Sequence, residues 1–390
     1  METGKDGVQD GAEYRIVLWP TMAATAPFRA ADIRDASRYD IARARELVLA
    51  HGWNSTSFQI INPGIKRWFS AVGDAVVGYA LSAGVRVAVG APVCEPDRLA
   101  AVAAEFEFEA AHYSEQVCYF GAESRLESVY ETSNRHSKFL LGSQPAWHPG
   151  HWAEAITSHR SLRAQLNRAR NKGVIVAEWA IDRARDNSQL RSVLSSWLES
   201  KGLPPLHFMV ESNTLARLEN RRVFVAERNG DTVGFLVLSP VALRKGWLVE
   251  QFPHRPGAPN GTVELMIDTA MRVVANDGCQ YATLGLSPLS RRADIEPFDN
   301  PFWLRILLAW MRKHGQRFYN FDGLDHFKAK LCPDRWEPVF AISNERSVSL
   351  RTFYAIAGAF SGNDTLGLLT GGLRRAVKTE VGWLRRRIFG

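Results

Sequence analysis

The stretch VFVAERNGDTVGFLVLSPV, residues 223 to 241, places an Asn-Gly pair between two runs of alternating apolar residues. Asn229 and Gly230 are the residue types that most readily adopt the positive φ angles of a two-residue turn. Alternating apolar residues on both sides are typical of paired strands. The stretch therefore predicts a β-hairpin, and the second half of the chain is expected to contain a β-sheet.

The elements around this hairpin predict an α/β domain. A helix over residues 188–201 precedes the hairpin, and a strand over 246–251, a helix over 263–276, a buried strand over 281–286 and a helix over 302–314 follow it. The helices carry apolar residues at helical spacing, whereas the strands are short apolar runs. This order is the one expected of a GNAT-type acyltransferase domain, in which the loop before the central helix holds an anionic acyl donor.

That loop reads HRPGAPNGT. Asn260 and Gly261 are expected to expose backbone N–H groups at the N-terminus of the following helix, where an anion is stabilised. Pro256 and Pro259 have no N–H to donate. The loop therefore departs from the usual coenzyme A loop and is only a weak signal for an acyl donor.

The first half of the chain has similar alternation. A helix is expected over residues 40–51, a hairpin over 73–93, a helix over 98–113 and a strand over 117–120. Such alternation of helices and strands indicates a second α/β layer.

Composition narrows the class of protein. The chain has 390 residues, of which 46% are hydrophobic and 23% charged, as is ordinary for a globular protein. The longest apolar runs, residues 75–84 and 303–311, fall short of the roughly 20 residues that span a bilayer. The four cysteines lack the close spacing of metal ligands, so no metal site is expected and the thiols are expected to be reduced: Cys94, Cys118, Cys279 and Cys332.

Positive charge is concentrated at the C-terminal end. From residue 346 onward there are eight Arg and Lys residues against two acids, which gives +6 of the formal net charge of +7. Apolar residues recur there at spacings of three and four, namely Leu373, Val377, Val381, Leu384 and Ile388. Such a pattern predicts either an amphipathic helix lying on an anionic membrane or a terminal helix packed on the body with a solvated basic face.

A second basic element is HRSLRAQLNRARNKG, residues 159 to 173, which predicts a helix that ends at Gly173. Its apolar face is Leu162, Leu166 and Ala169. Arg163 and Arg168 project from the remaining surface, where they are either solvated or bind phosphates.

The stretch YNFDGLDHFKAKLCPDRWEP, residues 319 to 338, is rich in aromatic and basic residues. Residues 318–321 predict a short strand that Gly323 ends. Lys328 and Lys330 would share a face of a following strand but lie roughly 200° apart on a helix. They are either solvated lysines of a structural turn or cations that hold an anionic substrate.

Four segments together resemble the C-terminal cytoplasmic domain of the phosphatidylglycerol lysyltransferase family, also called multiple peptide resistance factor. They are RSLRAQLNRARNKG, GTVELMIDTAM, YATLGLSPLS and YNFDGLDHFKAKLCPDRWEP. The resemblance extends from about residue 50 to residue 345. It implies two GNAT-like folds in tandem, with mixed central sheets, in an enzyme that moves an amino acid from aminoacyl-tRNA to a lipid hydroxyl.

The chain departs from the family pattern in two respects. The chain is expected to be a free-standing member without the family's large N-terminal flippase. Where the family has Asp-Leu-Met-Arg, this chain has Val249-Glu250-Gln251-Phe252 and retains only the acid. The expected organisation is a leader (1–30), an N-terminal GNAT-like domain (31–155), a basic connecting helix (156–173), a C-terminal catalytic GNAT-like domain (174–345) and a basic amphipathic tail (346–390).

Transfer between two esters requires removal of the acceptor's proton, stabilisation of charge on the carbonyl oxygen, an acid for the donor's ammonium and cations for phosphates. The expected catalytic residues are Glu250, Lys328 and Lys330. The expected substrate-binding residues are Arg163, Arg168, Asn260, Gly261, Glu264, Asp268 and Asn320. Asn320 is expected mainly to shape the turn.

The expected partners are aminoacyl-tRNA as co-substrate, an anionic glycerolipid similar to phosphatidylglycerol, and the membrane surface through residues 372–390. No metal or other cofactor is expected. The protein is expected in the cytoplasm, peripherally associated with the inner face of the membrane. The alternatives are an acyl-CoA-dependent GNAT enzyme acting on an amine or peptide, a non-catalytic membrane- or RNA-binding module, and a transferase with a peptidyl or small-molecule acceptor.

Overall fold

A twelve-stranded mixed sheet runs through the part of the chain that the computed structural model describes, residues 30–201, 208–209, 214–293, 302 and 321–361. Eleven strands follow one another in the order β1-β2-β3-β4-β12-β5-β10-β9-β8-β7-β6, and β11 pairs with β5. The described residues from Ile41 onward form one compact unit. From the segment before it, only the start of the first helix is described.

The first half begins with helix α1 (Ala30–His51) and three antiparallel strands, β1 (Lys66–Phe69), β2 (Val76–Ser82) and β3 (Val85–Val89). Helix α2 (Leu99–His112) then returns the chain to β4 (Gln116–Ala122), which runs parallel to β3. Helix α3 (Ser124–Val129) and the long strand β5 (Ser137–Trp147) complete this half.

Two helices lead into the second half, α4 (Trp152–Ser158) and α5 (Arg160–Asn171). Strand β6 (Val174–Trp179) and helices α6 (Ile181–Ala184) and α7 (Ser188–Lys201) follow, and then β7 (Arg222–Arg228), β8 (Asp231–Val241) and β9 (Gly246–Gln251). Helix α8 (Thr262–Asn276) returns the chain to β10 (Tyr281–Thr283), parallel to β9. The second half thus repeats the strand–strand–strand–helix–strand order of the first.

The described chain ends with β11 (Ser287–Pro288), helix α9 (Phe321–Lys330), β12 (Arg335–Ser343) and helix α10 (Leu350–Ser361). Strand β12 comes late in the sequence, yet it lies between β4 and β5 of the first half. Strand β5 in turn lies between β12 and β10. The two halves therefore exchange strands, and β5 pairs with β12 from Ser137↔Ser343 to Ala146↔Arg335.

Helices cover both faces of this sheet. In the second half, α5 and α8 pack on one face and α6 and α7 on the other. In the first half, α2 and α3 pack on one face, whereas α10 and the part of α1 after Asp40 pack on the other. The expected mixed α/β architecture is confirmed. None of the helices in the described ranges has the length and apolar character needed to cross a bilayer.

Several predictions of local structure are confirmed. Asn229 and Gly230 have φ angles of 53° and 85°, and they connect β7 to β8 as the Asn-Gly turn requires. The basic helix α5 buries Leu162, Leu166 and Ala169, and Gly173 follows it with a φ of 78°. At these positions the pattern of apolar residues and turn residues was sufficient to predict the local structure.

The prediction that Gly323 ends a strand and begins a new element was wrong for residues 321–330, whereas residues 318–320 of the expected strand lie outside the described ranges. Phe321–Lys330 is a helix that contains Gly323, and the strand begins only at Arg335. Phe327 and Leu331 are four residues apart, so a helix places both side chains on one face, where they pack in the core with α8. This burial outweighs the roughly 1 kcal/mol that a glycine costs within a helix. The expected strand over 281–286 is also shorter and ends at Thr283.

Three predictions fall on residues outside the described ranges. These are the role of Asn320, the helix over residues 302–314 beyond its first residue, and the amphipathic tail over residues 372–390. The domain boundaries also stay predictions.

Candidate functional site

Strands β9 and β10 separate at their C-terminal ends. Their last paired residues are Leu248 and Thr283, but β9 continues to Gln251 whereas β10 stops. Gly285, with a φ of 67°, redirects the chain after β10. We call the gap beyond Leu248 and Thr283 the β9/β10 opening. In α/β sheets, ligands bind where neighbouring strands diverge at their carboxyl ends.

Helix α9 borders this opening. The ring of Phe327 lies 5.9 Å from that of Phe252, which directly follows β9. Lys328 Nζ donates hydrogen bonds to the carbonyl oxygens of Gly285 at 2.8 Å and Leu286 at 2.9 Å. One helix therefore contacts the chain just beyond both diverging strands.

Lys328 differs from the exposed cation that the sequence suggested. Its residue surface is only 3% exposed, and burial lowers the pKa of its amine to about 7, although the charge of Asp325 acts to raise it. Two of its three N–H groups are directed to carbonyl oxygens when it is protonated. Lys328 is therefore a tether between α9 and β10 that can also exchange a proton near neutral pH.

Lys330 lies closer to solvent. Its Nζ donates to Oε1 of Glu264 at 3.1 Å, and this pair joins the last turn of α9 to the first turn of α8. The side chain of Lys330 is 33% exposed and that of Glu264 is 11% exposed. The structure thus brings together two of the residues that the sequence suggested.

Gly261 serves close packing at the N-terminus of α8. Its φ is 94°, and a Cβ atom there would lie 2.1 Å from the carbonyl oxygen of Gln165 on α5. A glycine is needed for both reasons. Asn260 beside it is exposed. The loop therefore allows α8 to pack closely against the basic helix α5.

Asp268 joins α8 to neighbouring helices through buried hydrogen bonds. It is 1% exposed, and its carboxylate accepts hydrogen bonds from Trp152 Nε1 at 3.0 Å, Arg170 Nη2 at 2.8 Å and Arg272 Nε at 2.9 Å. Both oxygens are occupied, so the carboxylate fixes α8 to α5 and to Trp152. The geometry gives it no free position for a substrate.

The two arginines that the sequence suggested on α5 have different surroundings. Arg163 Nη1 donates to the carbonyl oxygens of Thr157 and Ile156, which lie in α4. Arg168 is exposed, and its guanidinium has no hydrogen-bond or ion-pair partner among the described residues. Arg168 is available for a phosphate, whereas Arg163 stabilises the end of α4.

Glu250 lies on the other face of the sheet. Its neighbour Val249 packs in the core with α5 and α8, and successive side chains of a strand point to opposite faces. The Glu250 carboxylate receives Arg221 Nε at 2.7 Å and Nη2 at 3.1 Å. Both side chains are nearly buried, 7% and 2% exposed. No hydrogen bond or ion pair among the described residues joins Glu250 to Lys328 or Lys330.

A buried polar network lies where the two halves exchange strands, and reasoning from the sequence missed it. Arg244 contacts Glu337 through Nη1 at 2.9 Å and Glu123 at 3.2 Å, and its guanidinium lies 3.5 Å from the ring centre of Tyr281. The Tyr281 hydroxyl donates to Glu337 at 3.1 Å. Burial raises the pKa of Glu123. Burial also acts to raise the pKa of Glu337, but Arg244 and Arg335 lower it overall.

Comparisons with known proteins agree with this fold. Two solved structures match most of the chain: the C-terminal domain of a protein described as a lysylphosphatidylglycerol synthetase from Agrobacterium fabrum, and L-PGS from Bacillus licheniformis. The first has a TM-score of 0.70 at 20% identity and covers 84% of this chain and 98% of that chain. The second has a TM-score of 0.67 at 19% identity and covers 82% and 95%.

A curated relative is the lysylphosphatidylglycerol biosynthesis bifunctional protein LysX of Gordonia bronchialis, 23% identical over 287 residues. The match covers 70% of this chain and 24% of that protein, and the chain spans less than half the length of the curated relatives it matches. The model of the family described as "Phosphatidylglycerol lysyltransferase, C-terminal" matches residues 45–343. Because this match covers most of the chain, the protein belongs to the family of phosphatidylglycerol lysyltransferase C-terminal domains.

Proposed function

We propose that this protein transfers an aminoacyl group from aminoacyl-tRNA to a hydroxyl group of a membrane glycerolipid. The family match over residues 45–343 supports transfer to a lipid. The observation that carries the proposal is the placement of Lys328 at the β9/β10 opening, with its amine held by two carbonyl oxygens and its pKa lowered to about 7.

The reaction exchanges one ester for another. The acceptor's hydroxyl oxygen attacks the aminoacyl carbonyl carbon, a new C–O bond forms, and the C–O bond to the tRNA ribose breaks. The proton of the acceptor hydroxyl ends on the ribose oxygen. The step conserves the ester and needs fixed geometry, proton transfer and stabilisation of the carbonyl oxygen.

Lys328 supplies the stabilisation in this proposal. When protonated, it has a third N–H beyond the two that bind Gly285 and Leu286. That N–H donates to the carbonyl oxygen as negative charge develops on it, in surroundings where burial makes the interaction strong. The two carbonyl oxygens hold the amine in place before the reaction starts.

Glu264 binds the donor's α-ammonium group. Its Oε1 accepts from Lys330, and its side chain is 11% exposed in the first turn of α8. Glu250, the acid first suggested by the sequence, is already neutralised by Arg221. We assign Glu250 the role of a positioning residue that holds the end of β9.

The tRNA is bound through its phosphates by the basic face of α5, where Arg168 is exposed and unpaired among the described residues. Association with the membrane through residues 372–390 is part of the same proposal and rests on their basic, amphipathic sequence.

The test is a transfer assay with purified full-length protein, membrane lipid extract and total tRNA charged with one radiolabelled amino acid per reaction. Label that enters the organic phase with a particular amino acid, and is lost after RNase treatment, supports the proposal. Folded protein that transfers no amino acid contradicts it. A parallel reaction with labelled acyl-CoA and amine acceptors tests the acyl-CoA alternative, which predicts transfer without tRNA.

A further inference from the structure

The first half has its own opening between parallel strands. Strands β3 and β4 run parallel and pair last at Val89↔Phe120, after which the chain leaves β3 toward α2, as β9 leads toward α8. A small cleft lies at these strand ends, lined by Trp53, Pro92, Pro96, Leu99, His51 and Arg125. It occupies the position in the first half that the β9/β10 opening occupies in the second.

Arg125 has a charge without a counter-charge. Its guanidinium lies 4.5 Å from the ring centre of Trp53 and makes neither a hydrogen bond nor an ion pair with any described residue. Arg244 lies 4.7 Å from the same ring centre, but Glu123 and Glu337 neutralise it. Burial and the charge of Arg244 both lower the pKa of Arg125. An anion beside Arg125 would relieve this unfavourable situation.

The surroundings of Arg125 indicate which kind of anion fits. The guanidinium of Arg125 lies over the ring of Trp53, and the planar guanidinium of an arginine presents a fork of N–H groups that matches two oxygens of a phosphate. Two prolines and Leu99 provide apolar walls. A nucleic-acid strand requires several cations along its backbone, whereas Arg125 is the only unpaired arginine among the described residues that line this cleft.

We infer that this cleft binds the phosphodiester group of a lipid headgroup, with Arg125 on the phosphate and the apolar walls against the adjoining glycerol. The site lies in the first half, apart from Lys328 and Glu264. It deepens the proposed function, on which its role in holding the lipid acceptor rests. The binding itself requires neither tRNA nor transfer.

The experiment measures binding of dihexanoyl phosphatidylglycerol, kept below its micelle concentration, to the full-length protein by isothermal titration calorimetry. Arg125→Gln is expected to raise the Kd at least about tenfold, because a charged hydrogen-bonded pair is lost. Arg135→Gln is the matched control, since Arg135 is exposed in the same half and its side chain has no partner among the described residues. Its Kd is expected to equal that of the wild type.

Further titrations distinguish a lipid phosphate from inorganic phosphate and from the phosphates of tRNA. Inorganic phosphate is expected to bind much more weakly than the lipid, and total tRNA is expected to bind wild type and Arg125→Gln equally. Arg125→Lys keeps the charge without the fork and is expected to give an intermediate Kd. Circular dichroism confirms that each variant is folded.

The inference is overturned if Arg125→Gln binds the lipid as tightly as the wild type. It is also overturned if inorganic phosphate binds as tightly as the lipid, or if the substitution weakens tRNA instead. Because no donor is present, binding that depends on Arg125 stands even if the transfer assay fails. If the wild type transfers an amino acid to lipid but Arg125→Gln binds the lipid as tightly as the wild type, the site at Arg125 is rejected and the proposed function stands.

Discussion

The amine of Lys328 lies 2.8 Å from the carbonyl oxygen of Gly285, and through this bond helix α9 holds the chain where it leaves β10. Gly285, two residues beyond the end of β10, is thus held by a buried lysine that lies 43 residues later in the chain. A lysine is an unusual choice for such a tether, because burial disfavours its charged form.

The Lys328 tether should make stability depend on pH. Its pKa falls from 10.5 to about 7 in the folded protein, so between these values the unfolded chain binds a proton that the folded chain does not. The free energy of unfolding therefore gains a contribution that increases as pH rises through this window, by at most about 1.4 kcal/mol per pH unit. Urea unfolding of wild type and Lys328→Met across the window isolates this contribution as the difference between their slopes. Equal slopes would contradict the buried position of the amine.

Gly261 should be far less tolerant of substitution than Gly257 in the same loop. Both have positive φ angles, 94° and 85°, but a Cβ atom at Gly257 meets nothing within 4 Å, whereas at Gly261 it meets the Gln165 carbonyl oxygen. Gly257→Ala is expected to cost about 1 kcal/mol for its backbone conformation alone. Gly261→Ala should cost at least about 3 kcal/mol and shift α8 away from α5. Thermal unfolding measures both, and similar losses would refute the close contact.

Glu250 and Glu264 should respond differently to the same substitution. Glu250→Gln leaves the buried Arg221 without its counter-charge and is expected to destabilise the protein by about 3 kcal/mol. Glu264→Gln affects a pair whose lysine is one-third exposed, so its stability cost should be below about 1 kcal/mol. In the transfer assay Glu264→Gln should raise the KM for the charged tRNA. An unchanged KM would remove Glu264 from the donor site.

The basic face of α5 can be tested through salt dependence. Arg168→Gln should weaken tRNA binding and reduce the slope of log Kd against log salt concentration by about 1, since one phosphate contact is lost. Arg163→Gln serves as the control of equal charge, because Arg163 is engaged with carbonyl oxygens of α4. It should lower stability and leave the salt slope unchanged. Filter binding over a range of salt concentrations measures both slopes, and identical behaviour would argue against a specific contact at Arg168.

Local signals in the sequence predicted much of the sheet and helix order. The Asn229–Gly230 turn and the helix α7 follow from residue types next to one another in the chain, and the structure has both. Residues 321–330 failed as a prediction because Gly323 suggests a break, whereas the burial of Phe327 and Leu331 favours a helix. Tertiary packing, which a local pattern does not contain, decided that segment.

The candidate site was predictable only in part. The sequence suggested Glu264 and Lys330 separately, and the structure shows that the two side chains are in contact. The sequence could not show that Arg221 neutralises Glu250. Arg221 directly precedes β7 and Glu250 lies in β9, 29 residues later, and no local pattern links the two positions. The network around Arg244 unites segments near residues 123, 281 and 337, and none of these has a distinctive local motif.

The exchange of β5 and β12 has a consequence for how the chain reaches its native state. Cys118 of β4 pairs with Ser343 of β12. This edge of β4 therefore stays unpaired until a segment more than 200 residues later in the chain is available. During synthesis from the N-terminus, the edge of β4 has no neighbour until that segment leaves the ribosome. Contacts this distant slow folding, and an unpaired strand edge favours association with other chains. Before β12 is synthesised, the first half of the chain is therefore most prone to associate with other chains, and a chaperone that binds it would have its largest effect at this stage.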